Sequence, residues 1–223
     1  MQKKQRKNEQ SINDQIISYK TLRIMMGLAG IFLSLLVVIG KLISEHDFSL
    51  EFSISDYYDN HAGGDILVGI LFALSFFLFA YKGPEPVDNI IANIGAGMAM
   101  GVALFPTTAG GWIYYAHFGF AISLFIVFII FSIYLFRKTK KNSEPTDEKK
   151  KRNRMYLTCG FIMIGCILAL AVSLIFFEGA CKRYNLVFWG EAIALTAFGV
   201  SWLTKAEWLY WVDKPEKKSE EQA

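Results

Sequence analysis

The sequence predicts an all-α polytopic integral membrane protein, a six-transmembrane-helix bundle with both termini cytoplasmic. Three observations carry this reading. Hydrophobic residues make up 53% of the 223-residue chain and aromatic residues 15%, above the apolar share of about 45–50% usual for soluble domains. The apolar residues gather in six blocks, at 22–43, 65–81, 89–106, 113–136, 155–177 and 187–204, each close to the ~20 residues a helix needs to cross the hydrocarbon core. Finally, the 23 Lys and Arg residues fall almost entirely on one side of a six-span topology, and that side is read as cytoplasmic.

Taken in order, residues 1–20 form a polar cytoplasmic tail that carries Lys3, Lys4, Arg6, Lys7 and Lys20. The membrane domain then runs over 21–205. The first span, 22–43, is too long for a signal-peptide core and no small-x-small cleavage site follows it, so it is read as retained. Between the second and third spans, KGPEPVDN is short enough only for a tight turn, with Pro84 and Pro86 ending one helix and Asp88 suited to cap the next. The third span contains GAGMAMG, where Asn93, Gly97 and Gly101 recur every four residues on one helical face. Small residues at that spacing predict helix packing and a central place in the bundle. The connection 137–154 is highly basic and reads as solvated loop or frayed helix ends. Residues 206–223 form an interfacial aromatic turn (Trp208, Tyr210, Trp211) and a second polar cytoplasmic tail.

Several function classes are excluded by the same pattern. The net charge of +3 is no nucleic-acid signature, because the basic residues line one membrane face as topology determinants beside anionic lipid; only Lys41, Lys182 and Arg183 lie on the other side. GAGMAMG follows no strand, so it is not a dinucleotide fingerprint. The cysteines, Cys159, Cys166 and Cys181, have neither CxxC nor zinc-knuckle spacing.

The chemistry-bearing residues collect at the extracytoplasmic side. Asp65 opens the second span, and His117 and Glu191 lie about five residues inside the fourth and sixth, roughly 7 Å below the boundary. Ionisable groups inside spans usually face a protein or water-filled interior, which makes Asp65, His117 and Glu191 the candidate catalytic residues. Above them the loop SISDYYDNHAGGD supplies Ser55, Asp56, Tyr57, Tyr58 and His61 as candidate ligand-binding residues. Two chemistries suit such a set. One is recognition or transport, in which the same groups bind a cationic or polar ligand or pass protons, and the other is hydrolysis at a lipid headgroup by a divalent metal ion held by His117 with Asp65 and Glu191, helped by His61. A third reading needs no ligand, since a His–carboxylate pair can simply join two helices.

SISDYY followed by an acidic residue opening a helix, then DNIIANIGAGMAMGVALFPTT, NRMYLTCG and FWGEAIALTAFGVSWLTK, resembles an uncharacterised group of bacterial six-pass membrane proteins, more distantly similar to the DRAM/Frag/Sfk-type superfamily. The resemblance covers most of residues 53–205. It implies a six-helix bundle in a bacterial inner membrane with an extracytoplasmic first loop, and it favours membrane lipids over soluble substrates as partners. Related chains carry an arginine directly before the aspartate that opens the second span, where this chain has Gly64.

Overall fold

A computed structural model describes residues 2–139 and 144–208, and these form α-helices and short helical turns with no strand among them. The helices are α1 (Gln2–Glu45), α2 (His61–Ala80), α3 (Pro86–Leu104), α4 (Gly111–Ile130), α5 (Asp147–Phe176), the short α6 (Glu178–Tyr184) and α7 (Leu186–Lys205). Six of them are long and apolar enough to cross a membrane. The chain is a multi-pass membrane protein built as an all-α six-helix bundle.

Neighbours along the chain pack as antiparallel partners, α1 on α2, α2 on α3 and α3 on α4, while α7 returns to pack between α1 and α5. The spans therefore form a ring, and its seam is the sparse contact between α4 and α5. One end of the ring, here the basic end, gathers the cytoplasm-assigned connections. The other, the loop end, holds residues 46–60 and α6.

Local chemistry explains the element boundaries. Pro86 stands in the first turn of α3, where its missing N–H costs nothing. Asp88, 1% exposed, reaches back to accept from the Glu85 N–H at 3.0 Å, and Lys138 bonds the same carboxylate at 2.9 Å. Asn185, at φ 48°, breaks α6 from α7 in a left-handed conformation that Asn tolerates better than most residues. α4 ends in a π-turn over Phe131–Leu135, closed by the Phe136 N–H on the Phe131 carbonyl at 2.9 Å. The extra residue rotates the helix end, so that Ser132 meets Ser201 at 2.6 Å and Phe131 and Phe136 both pack on Trp202.

α1 begins at Gln2, so residues 2–20 of the polar tail are helical and continuous with the first span; no Pro or Gly interrupts residues 2–26. Two sequence expectations are corrected. The face expected to pack α3 is not the one that does. Asn93 and Gly97 are exposed, and a Cβ at Gly97 would touch nothing. Ala92, Gly95, Ala96, Ala99 and Ala103 make the packed surface, and of the expected set only Gly101 is closed in, against the Phe120 ring. GAGMAMG offers small residues on two adjacent faces, and spacing alone does not choose between them. Nor is α3 the central span: 56% of the α7 window is buried against 44% for α3. Trp208 is 53% exposed, as an interfacial aromatic should be, while Tyr210 and Trp211 lie outside the described residues.

Candidate functional site

The loop end is built around residues 46–60, which form an ordered strap across the ends of α1, α4 and α7. The strap is anchored first by Lys41, a side chain 4% exposed. Its ammonium donates to Glu51 at 2.7 Å, to the Ser49 hydroxyl at 2.9 Å and to the Ser49 carbonyl at 3.1 Å, and it pairs with Asp47 at 2.9 Å. Burying an ammonium is tolerable only with such full pairing. The Ser49 N–H and hydroxyl, followed by Lys41, hold the Asp47 carboxyl below the usual carboxylate range.

Next the strap runs along the first turns of α7. The Leu50 carbonyl accepts from Asn185 Nδ2 at 3.2 Å, the Phe52 carbonyl from the Phe188 N–H at 3.0 Å, and the Ile54 N–H donates to Glu191 Oε2 at 2.7 Å. Residues 50, 52 and 54 of the strap thus meet residues 185, 188 and 191 of the helix start, every second residue against every third. The Phe188 bond also satisfies one of the donors a helix N-terminus leaves open.

At residue 55 the chain turns into a 3-10 helix, Ser55–Asp59. Ser53 and Asp56 cap it reciprocally, the Asp56 N–H donating to Ser53 Oγ and the Ser53 N–H to Asp56 Oδ2, each at 3.1 Å. Burial raises the Asp56 carboxyl above its ordinary value, against the lowering effect of those Ser53 bonds. Tyr57 is fully buried. It lies beside Phe188, and its hydroxyl accepts from the Glu51 N–H at 3.3 Å.

His117, 1% exposed, ties this turn to the far side of the bundle. Its Nδ1 lies 2.6 Å from the Phe105 carbonyl and its Nε2 2.9 Å from Ser55 Oγ. A carbonyl only accepts, so Nδ1 carries the proton, and in the neutral ring Nε2 accepts from the Ser55 hydroxyl. The Phe105 carbonyl belongs to the C-terminus of α3, where helical carbonyls lack partners.

His117 and Glu191 therefore hold consecutive residues of one strap, Ser55 and Ile54. Asp65 does not join them: it is exposed on α2, one residue after Gly64, whose Cα closes directly on the Tyr58 carbonyl and leaves no room for a side chain. Of the loop candidates, Ser55, Asp56 and Tyr57 are committed to the strap's own bonds, Tyr58 is half-buried and His61 is exposed. Both ring nitrogens of His117 have partners, and among the described residues no three His, Cys, Asp or Glu side chains converge as a metal-ligand set. The residues present do not fit the divalent-metal centre that the spacing suggested. Lys41, Glu51, Ser53 and Asn185 were not singled out by the sequence reading, and a lysine at the end of an apolar span, followed by DFSLE, was the available signal.

Beneath the strap the bundle holds two apolar spaces that share Glu191, Ala121 and Phe125. One is a central cavity of about 60 Å³ lined chiefly by leucines and phenylalanines. The other is a crevice of about 230 Å³ at the seam between α4, α5 and α7, walled by residues such as Phe118, Ile122, Leu170, Leu174 and Val187. Among the described residues Glu191 is the one carboxylate lining either space. While its Oε2 is bound to the strap, its Oε1 has no hydrogen-bond partner among the described residues. This arrangement offers an acceptor at the end of an apolar slot.

No family model, curated protein or solved structure matches this chain.

Proposed function

We propose that this protein binds a membrane lipid at its loop end, with an acyl chain in the α4–α5–α7 crevice and a hydroxyl, amide or ammonium donor on Glu191. In this reading the loop end faces outward from a bacterial cell membrane, an orientation that the Lys and Arg bias supports. The carrying observation is the crevice itself, an apolar slot at the open seam of the helix ring with one half-satisfied carboxylate on its wall. Its ~230 Å³ falls short of the about 300–1,000 Å³ of a site that swallows a whole small molecule. A single chain entering from the bilayer suits that size, with the rest of the lipid left in the leaflet. Because Glu191 also holds Ile54, a donor arriving at Oε1 is coupled to the strap, which gives occupancy a route to the surface loop and supports a sensing role. The resemblance to DRAM/Frag/Sfk-type membrane proteins is compatible with this assignment.

The test is lipid analysis of protein purified in mild detergent, with Glu191→Gln and Ala171→Trp as variants. Ala171→Trp plugs the crevice from its lipid-facing rim without touching the strap. The expected result is a discrete copurifying lipid, retained by wild type and lost from Ala171→Trp. Glu191→Gln should weaken its retention, since replacing a charge-assisted hydrogen bond costs about 1.5–3 kcal/mol. Equal retention of bulk lipid by all three proteins would overturn the proposal.

A further inference from the structure

At the opposite end of the bundle, five hydrogen-bond donors from four helices come together without an acceptor among the described residues. Arg23 of α1 and Lys205 of α7 are half-buried and close enough to repel one another, yet neither makes a hydrogen bond or ion pair among the described residues. The Arg23 Nε is fully enclosed with no partner. Tyr81 at the end of α2 and Tyr156 of α5 are 2% and 1% exposed. Both feel the Arg23 charge, and neither hydroxyl is hydrogen bonded among the described residues. Trp202 of α7, fully buried against Tyr81 at a ring distance of 5.2 Å, has an indole N–H with no acceptor among the described residues. The Lys205 ammonium stands 5.4 Å from the Phe136 ring. Lys149 and Arg152 border the same place with partners of their own, the Phe136 carbonyl at 2.8 Å and Glu207 at 3.6 Å.

Buried donors without acceptors are rare, because each one costs the full desolvation of its group. Like charges held together in a low-dielectric setting add to that cost. Donors and cations of this kind, with carboxylates already spent on Lys138 and Arg152, call for a ligand that brings several acceptor oxygens and negative charge. We propose that Arg23, Lys205, Tyr81, Tyr156 and Trp202 form an anion site that takes the phosphate group of an anionic phospholipid in the adjacent leaflet. A tetrahedral phosphate supplies enough acceptor oxygens for two cations and the hydroxyls at once. Its source follows from depth: these residues lie in the terminal turns of spans, at headgroup level, where basic pockets between helices bind lipid headgroups. This site is independent of the loop-end crevice.

The experiment uses the full chain in mild detergent, with thermal melting and native mass spectrometry. The probes are dioleoylphosphatidylglycerol, dioleoylphosphatidylcholine, and inorganic phosphate against chloride at matched ionic strength. Wild type should bind one phosphatidylglycerol in preference to phosphatidylcholine and melt higher with it. The pair Arg23→Gln with Lys205→Gln should weaken that binding about tenfold or more, since charge-assisted bonds are lost. The same pair should melt no lower than wild type in phosphatidylcholine, because the repulsion is relieved; a purely structural role would lower it. Tyr81→Phe removes one donor while keeping the ring, so it should fold and bind about threefold more weakly. Lys150→Gln, an exposed cation at the same end, should bind as wild type. Stabilisation by inorganic phosphate without phosphatidylglycerol would overturn the lipid source in favour of a soluble phosphate. Equal binding of the two lipids, or unchanged phosphatidylglycerol affinity in both the double variant and Tyr81→Phe, would overturn the site.

Discussion

Residue by residue, the loop end separates groups that share a chemistry but not a role. His117 holds a helix C-terminus and a 3-10 turn together through both ring nitrogens. His117→Ala should therefore lower stability by about 1–3 kcal/mol, the cost of two buried partners left open, and should free the strap. Asp65→Asn on the exposed face of α2 should stay within about 0.5 kcal/mol of wild type. Thermal melting in one detergent compares the two directly, and equal losses would contradict the placement of Asp65. Acidity acts on the strap through two carboxyls of opposite sign. Asp47 is held low by Ser49 and Lys41, so its contribution is present above the ordinary carboxylate pKa and is lost as pH falls through the lower folded value. Asp56 is raised by burial, so the folded state gains its proton more readily and that group opposes stability as pH rises through the raised value. Acidification through pH ~4 should thus first relieve Asp56 and then, further down, release the Lys41–Asp47 clamp. A spin label at Asp59→Cys should keep its mobility down to that range and gain mobility below it. Mobility that rises steadily from neutral pH would show that some other group controls the strap.

Among the elements, α3 and the strap show how packing selects from what spacing allows. Gly101 faces the Phe120 ring and Gly97 faces open space. Gly101→Leu should cost about 1–3 kcal/mol by overpacking, while Gly97→Leu should match or slightly exceed wild type, since Leu is the better helix former. Yields of folded protein and melting temperatures of the two variants decide this. Similar damage from both would mean that Asn93 and Gly97 meet a partner, such as a second copy of the chain. The strap is an element without regular hydrogen bonding, and it persists because α7 offers Asn185, Phe188 and Glu191 on one face at the spacing its alternate residues need.

For the whole molecule, the ring of spans has one weak seam and two chemically different ends. The loop end carries a polar network largely paired within itself, with Glu191 Oε1 and Asn60 Oδ1 left open among the described residues, and the basic end carries cations with donors to spare. Cysteine labelling of intact cells, in a background lacking the native cysteines, should modify probes at Asp59 and Gly179, both exposed at the loop end, but not at Glu144. Labelling at Glu144 from outside would invert the orientation and place the anion site in the outer leaflet.

Span number, helical class and the grouping of basic residues were legible in the sequence, because the bilayer imposes a length of apolar helix and a charge bias that composition alone satisfies. His117, buried, and Glu191, half-buried, were legible as ionisable groups inside spans for the same reason: an apolar run advertises its exceptions. Rotation about each helix axis was not legible. It depends on which neighbour a face meets, and that choice put Asp65 outside, turned Asn93 and Gly97 away from the core, and brought Arg23, Tyr81, Tyr156, Trp202 and Lys205 from four helices to one place. Contacts among residues far apart in the chain are settled only when the spans pack. The strap's bonds to α7 reach across more than half the sequence, and no local pattern in SISDYYDNHAGGD encodes its partner.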